Sequence, residues 1–139
     1  MKYKRANILL EVLLVCAILV TLIPLYNKVV LVSLHENKRM SVQMEVDRQL
    51  DFTQDYLQSV CDDAISVSVT GPALNIVTSK DVFDVGLKKQ AIYVRRDAYR
   101  YLTTDPVIVT QLQFCPQNSK LCLVRLTANG KPYSFPLGL

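Results

Sequence analysis

Apolar residues crowd the first third of the chain, then fall into two successive periodicities. From Ile8 to about Leu34 the run is interrupted by Glu11, Thr21, Pro24, Asn27, Lys28 and Ser33. A bilayer span needs about 20 predominantly apolar residues, and Val12 to Leu25 with its flanks reaches that length, which predicts one membrane helix. From His35 to Ala64 the apolar positions Val42, Val46, Leu50, Leu57, Val60, Cys61 and Ala64 recur mostly at three- and four-residue steps, with charged and amide residues on the other faces. Neither Pro nor Gly falls between Pro24 and Gly71. The pattern therefore predicts a single helix from about Asn7 to about Ala64, its second half amphipathic and packing one stripe on a domain. Pro24 removes one backbone hydrogen bond and should bend or locally loosen that helix.

Beyond Ala64 the period shortens to two. Ile65-Ser66-Val67-Ser68-Val69 alternates strictly, and Gly71-Pro72 then turns the chain. Further short β-like segments are Leu74 to Val77, Ala91 to Arg95, Tyr99 to Leu102, Val107 to Phe114, Leu121 to Leu126 and Tyr133 to Phe135. Asn129-Gly130 is the strongest hairpin signal, because both residues tolerate positive φ, and Arg96-Asp97-Ala98 offers another tight connection. A helix followed by hairpin-linked strands predicts an α+β fold in which an antiparallel sheet buries its apolar face on the amphipathic half of the helix.

Chemistry narrows the picture further. The chain has no Trp and one His, His35, and it lacks Cys-x-x-Cys and His-Glu-x-x-His spacings, so no metal site, cofactor or catalytic constellation is expected. The residue that asks for a reason is Glu11. A lone ionisable side chain at a bilayer centre costs about 2.5–3.5 kcal/mol on insertion scales, and such residues usually have a partner or a function.

Lys2, Lys4 and Arg5 form a basic leader ending in the small residue Ala6, followed by four neutral residues, Glu11 and a long apolar run that includes Pro24. This N-terminus resembles that of type IV prepilins and of the pseudopilins of type II secretion and competence systems. Ala6 stands where the family usually has Gly, and Asn7 where it usually has Phe or Met. The resemblance implies cleavage between Ala6 and Asn7 by the prepilin peptidase, N-methylation of Asn7, and Glu11 as the fifth mature residue, pairing with the amino terminus of a neighbouring subunit. Its organisation would be a leader (1–6), an assembly and membrane helix (7–34), the amphipathic half of the helix (35–64) and an antiparallel β-domain (65–139). Its partners would be other pilins, the peptidase and the inner-membrane platform protein. The subunit would be a minor pilin or pseudopilin, and not an enzyme.

Three other readings explain the N-terminus less fully. An uncleaved single-pass scaffold with an exposed β-domain is the alternative. A secretory signal peptide would have a shorter apolar core and a small-x-small site, where this chain has Tyr26-Asn27-Lys28. A lipoprotein reading would modify Cys16, which lacks the small residues expected before it. The leader charges favour a cytoplasmic N-terminus and an outward-facing remainder. The net charge of +4 drops to +1 once the three leader charges are removed, which leaves no electrostatic case for a nucleic-acid partner.

Cys115 and Cys122 bracket a short turn-prone segment between two strand-like stretches, close enough for a cross-hairpin disulfide, with unlinked thiols as the alternative. Cys16 and Cys61 read as apolar fillers of the membrane run and of the helix stripe. Arg95, Arg96, Arg100, Tyr93, Tyr99 and Tyr101 alternate near one hairpin. They would allow DNA capture by a basic aromatic face, against which a solvated strand edge is the plainer reading.

Overall fold

A computed structural model describes the backbone from Lys2 onward and the side chains from Asn7; the structural statements below refer to these described residues. Helix α1 runs Lys2–Asp62 and remains helical on both sides of Pro24, so the proline does not end it. The chain divides into two units, residues 1–41 and 42–139.

In the second unit, the helix buries Val46, Leu50, Thr53, Leu57 and Cys61, a stripe spaced at three and four residues. Val42, Val60 and Ala64 are only half-buried. Thr53 fits the stripe because its hydroxyl donates to the Gln49 carbonyl at 2.7 Å, so no polar atom is stranded in the core. The helix ends at Asp62 with no basic residue in its last turn, and Ala64 already belongs to the first strand.

Eight antiparallel strands follow: β1 (Ala64–Thr70), β2 (Ala73–Thr78), β3 (Val82–Lys88), β4 (Ala91–Arg95), β5 (Tyr99–Tyr101), β6 (Val109–Asn118), β7 (Leu121–Ala128) and β8 (Lys131–Gly138). They form two meanders, a five-stranded sheet in the order β1-β2-β3-β4-β5 and a three-stranded sheet in the order β6-β7-β8. The fold is thus α+β, one long N-terminal helix packed on antiparallel β-structure in the pilin-like manner expected, with the strands divided between two sheets. The division falls between β5 and β6, where residues 102–108 cross over. Leu102, Thr103 and Val107 are buried there, and Thr103 Oγ1 accepts the Ile92 amide at 2.9 Å.

Strand β3 has no counterpart among the segments the sequence pattern marks. Its Val-Phe-Asp-Val-Gly-Leu-Lys order puts Asp84 and Gly86 in what would be an apolar run. Both belong to the outer face of the sheet: Tyr93, paired with Gly86, lies over the glycine and hydrogen-bonds Asp84 at 3.3 Å. An aromatic ring shielding a cross-strand glycine recovers contact area that the missing side chain forgoes. The β3–β4 hairpin turns on Lys89 and Gln90, both at positive φ, although neither is a usual turn former. At the β7–β8 hairpin, Asn129 and Gly130 adopt φ of 50° and 76°, as their types predict. The Asn129 side chain also accepts the Ile108 amide and donates to the Pro106 carbonyl, tying this turn to the crossover.

The core lies between the stripe of α1 and the inward residues of both sheets. The five-stranded sheet contributes Leu74, Ile76, Val85, Ile92 and Val94, and the three-stranded sheet Leu112, Phe114, Val124, Phe135 and Leu137. Polar pins reinforce the packing: Gln49 accepts the Thr104 amide, Gln58 accepts the Gly138 amide, and Gln43 bridges Tyr133 and Lys131.

Candidate functional site

In the first unit, aliphatic side chains cover every face of the helix and all of those described except the half-buried Val30 are exposed. Ile8, Leu9, Leu10, Val12, Leu13, Leu14 and Ile18, which together sample the whole circumference, are between 47% and 67% accessible. A helix that is apolar all round needs either a protein core or a lipid phase around it. None of this segment is buried within the protein, and the helix is long and apolar enough to cross a membrane.

The polar groups in the run differ in how they are satisfied. The Thr21 hydroxyl bonds back to the carbonyls of Ile18 at 2.9 Å and Ala17 at 3.2 Å, so it presents no unmet donor to lipid. Pro24 has no N–H to offer the Val20 carbonyl one turn earlier, a single local defect. Cys16 is an exposed free thiol. Glu11 is the only charged residue from Asn7 to Asn27, and its neighbours one turn away are Asn7, Ile8, Leu14 and Val15. Among the described residues it has no ion-pair partner. Because α1 already begins at Lys2, Glu11 lies beyond the first turn of the unprocessed helix, where dipole stabilisation has fallen off. The site is therefore one carboxylate on an otherwise lipophilic rod, without a partner among the described residues. Ala6 lies outside the residues whose side chains are described.

The cysteines depart from the expected pairing. Cys115 is opposite Leu123 and Cys122 is opposite Pro116, so the two thiols stand one residue out of step on adjacent strands. Side chains alternate across a sheet, which sends Cys122 into the core and Cys115 to the outer face. Both thiols are free, and the cross-hairpin bond does not form. The short spacing suggested proximity; the register decides against it.

The basic aromatic group is also divided. Arg95 is opposite Tyr99 and Tyr93 opposite Tyr101, which places these four on one face, with Lys88 Nζ 3.8 Å above the Tyr99 ring. Hydrogen bonds from Arg95 and then Lys88 lower the Tyr99 phenol below its usual range. Burial, and then the Asp84 carboxylate, raises that of Tyr93. Arg100 is opposite the buried Val94 and lies over Tyr56 of the helix, while Arg96 is held by Asp81 at 2.9 Å. The expected continuous row is thus a smaller cluster on the exposed face, and its lone lysine is a residue the sequence pattern did not single out. No group of three or more metal-ligating side chains occurs among the described residues.

No protein-family model, curated protein or solved structure shows a significant match to the chain.

Proposed function

We propose that this chain is a structural subunit of a type IV filament system, a minor pilin or pseudopilin. The observation that carries this reading is Glu11, a single carboxylate with no ion-pair partner among the described residues, on an all-round apolar helix that continues into a sheet-packed half. A carboxylate in low dielectric attracts an ammonium strongly, and pairing relieves the cost of leaving either charge bare. Such a partner is available if a neighbouring subunit is cut between Ala6 and Asn7 and presents its new amino terminus. Each subunit then carries both members of the pair, the amine at Asn7 and the acceptor at Glu11, which is the requirement for repeated head-to-tail addition.

Before assembly the helix is held in the membrane with its N-terminus cytoplasmic, oriented by Lys2, Lys4 and Arg5. Extraction exchanges lipid contacts for contacts with the helices of other pilins, and Glu11 supplies register to an otherwise greasy bundle. The platform protein and the prepilin peptidase are the membrane partners this sequence of events requires.

The test is Glu11→Ala in cells that carry the whole system. The variant should keep a folded β-domain and accumulate in the membrane, while disappearing from sheared filaments or from the minor-pilin complex. Glu11→Asp should be partly active, since it keeps the charge with a shorter reach. Normal incorporation of the Ala variant would refute the assembly role.

A further inference from the structure

We infer that the outer, tyrosine-bearing face of the five-stranded sheet receives the acidic helix ridge of a second copy of this chain. The unit 42–139 is neutral as a whole, yet its charges are sorted by element. Residues 42–63 of α1 carry six acidic side chains against one basic, a net −5, whereas residues 64–139 carry nine basic against four acidic, a net +5. The buried stripe of α1 faces the inner side of the sheet, so the exposed ridge of the helix and the outer face of the sheet point away from each other. They cannot meet within one chain, but two copies can bring them together.

The receiving face is built around Tyr99. Lys88 Nζ lies 3.8 Å from its ring centroid and the Arg95 guanidinium carbon 5.8 Å from it, so two cations share one ring. Tyr93 packs edge-on against Tyr99 at 5.2 Å between centroids, and Tyr101, paired with Tyr93, continues the surface. The carboxylate beside them, Asp84, accepts the Tyr93 hydroxyl at 3.3 Å. Lys88, Arg95, Tyr99 and Tyr101 are exposed, and neither cation has an ion-pair partner among the described residues. Tyrosine and arginine are also the residue types enriched where protein interfaces concentrate their binding energy.

The occupant follows from charge and spacing. Asp47, Asp51 and Asp55 recur every four residues and form an exposed row about 12 Å long. Like charges at this spacing repel and weaken a helix. Asp47 accepts the Gln43 amide at 2.8 Å, but among the described residues no cation pairs with any of the three, since Arg48 is bonded to Glu45. Phe52, three residues before Asp55 and 50% accessible, sets an apolar ring beside the row that can lie against the tyrosines. The repulsion within the row and the crowding of two cations on one ring are both relieved when the patches join. Because the patches differ, each copy gives one and receives at the other, so copies add in series. The contact draws on residues 42–139 alone and needs neither cleavage after Ala6 nor Glu11, so it stands or falls apart from the assembly role proposed above.

Full-length protein in detergent, mixed with the same chain carrying heavy nitrogen, is treated with a carbodiimide, which joins a lysine amine to a carboxylate in contact with it. The expected product is a mixed-label peptide pair linking Lys88 to Asp47, Asp51 or Asp55. Light scattering at low salt should show self-association weakened about tenfold in Asp51→Arg and in Arg95→Asp, with the melting midpoint unmoved in both. Mixing these two variants should restore association, because the basic ridge of one then meets the acidic face of the other. Raising the salt should weaken the wild-type contact. Association unchanged in both single variants, no gain on mixing them, or Lys88 links confined to one label would overturn the inference. A Lys88 link to a co-purified protein in place of a second copy would overturn the choice of occupant.

Discussion

The two halves of α1 are built from similar aliphatic residues and put them to opposite uses. Between Asn7 and Leu34 these side chains surround the helix and nearly all are exposed, whereas Val46, Leu50, Leu57 and Cys61 are gathered on one stripe and almost wholly buried. The difference lies in the spacing of polar residues. In the second half Glu45, Arg48, Gln49, Asp51 and Asp55 occupy the remaining faces, several of them stapled along the helix, as Gln49 and Arg48 are to Glu45. In the first half Glu11 is the only charge before Lys28, and among the described residues nothing pairs with it. One half is thus specified by the protein's own sheets and the other by what surrounds it.

The comparison breaks most visibly at Leu57. Leu57→Ala should destabilise the β-domain by about 2–5 kcal/mol in denaturant unfolding of the detergent-solubilised chain, because the cavity opens in a closed core. Leu13→Ala should leave the same transition unmoved; an equal loss would mean that the first half contributes to the fold. A smaller effect, about 1–3 kcal/mol, is expected for Thr103→Val, which strands the buried Ile92 amide. Hydrogen exchange at Ile92 should rise with it.

Smaller again is a pH effect on stability. The Cys61 thiol is raised by burial from 9.0 to about 11, so the folded state keeps its proton where the unfolded state loses it. Stability from this group is therefore complete below about pH 9 and is lost as pH climbs toward 11, by about 1–2 kcal/mol. Cys61→Ala should flatten that part of the pH profile. Least of all, Arg48→Ala should change stability by less than about 0.5 kcal/mol, since its bond to Glu45 is solvent-exposed.

The same contrast explains what was legible in the sequence. The helix stripe and the Asn129-Gly130 turn follow from local periodicity and backbone preference: the turn is found where the pattern puts it, and the stripe is buried at Val46, Leu50, Leu57 and Cys61, with Thr53 added and Val42 and Val60 only half-buried. Strand β3 was hidden because Asp84 and Gly86 look like breakers until Tyr93 is seen across from them. The division into two sheets depends on contacts made by residues 102–108, which carry no periodicity of their own. Cys115 and Cys122 illustrate the limit most sharply: sequence spacing measures proximity along a hairpin, and only the register says which face each thiol takes. Glu11 stood out for the opposite reason, since a charge within an apolar run is visible without any tertiary information.

The account turns on whether the carboxylate at Glu11 meets a newly made amine, and the intact mass of the protein from its native membrane tests this most directly. Where an active prepilin peptidase is present, the predicted mass is that of a chain beginning at Asn7, with or without one added methyl group. A chain that keeps Met1 to Ala6 under those conditions would contradict the filament reading and favour an uncleaved single-pass scaffold.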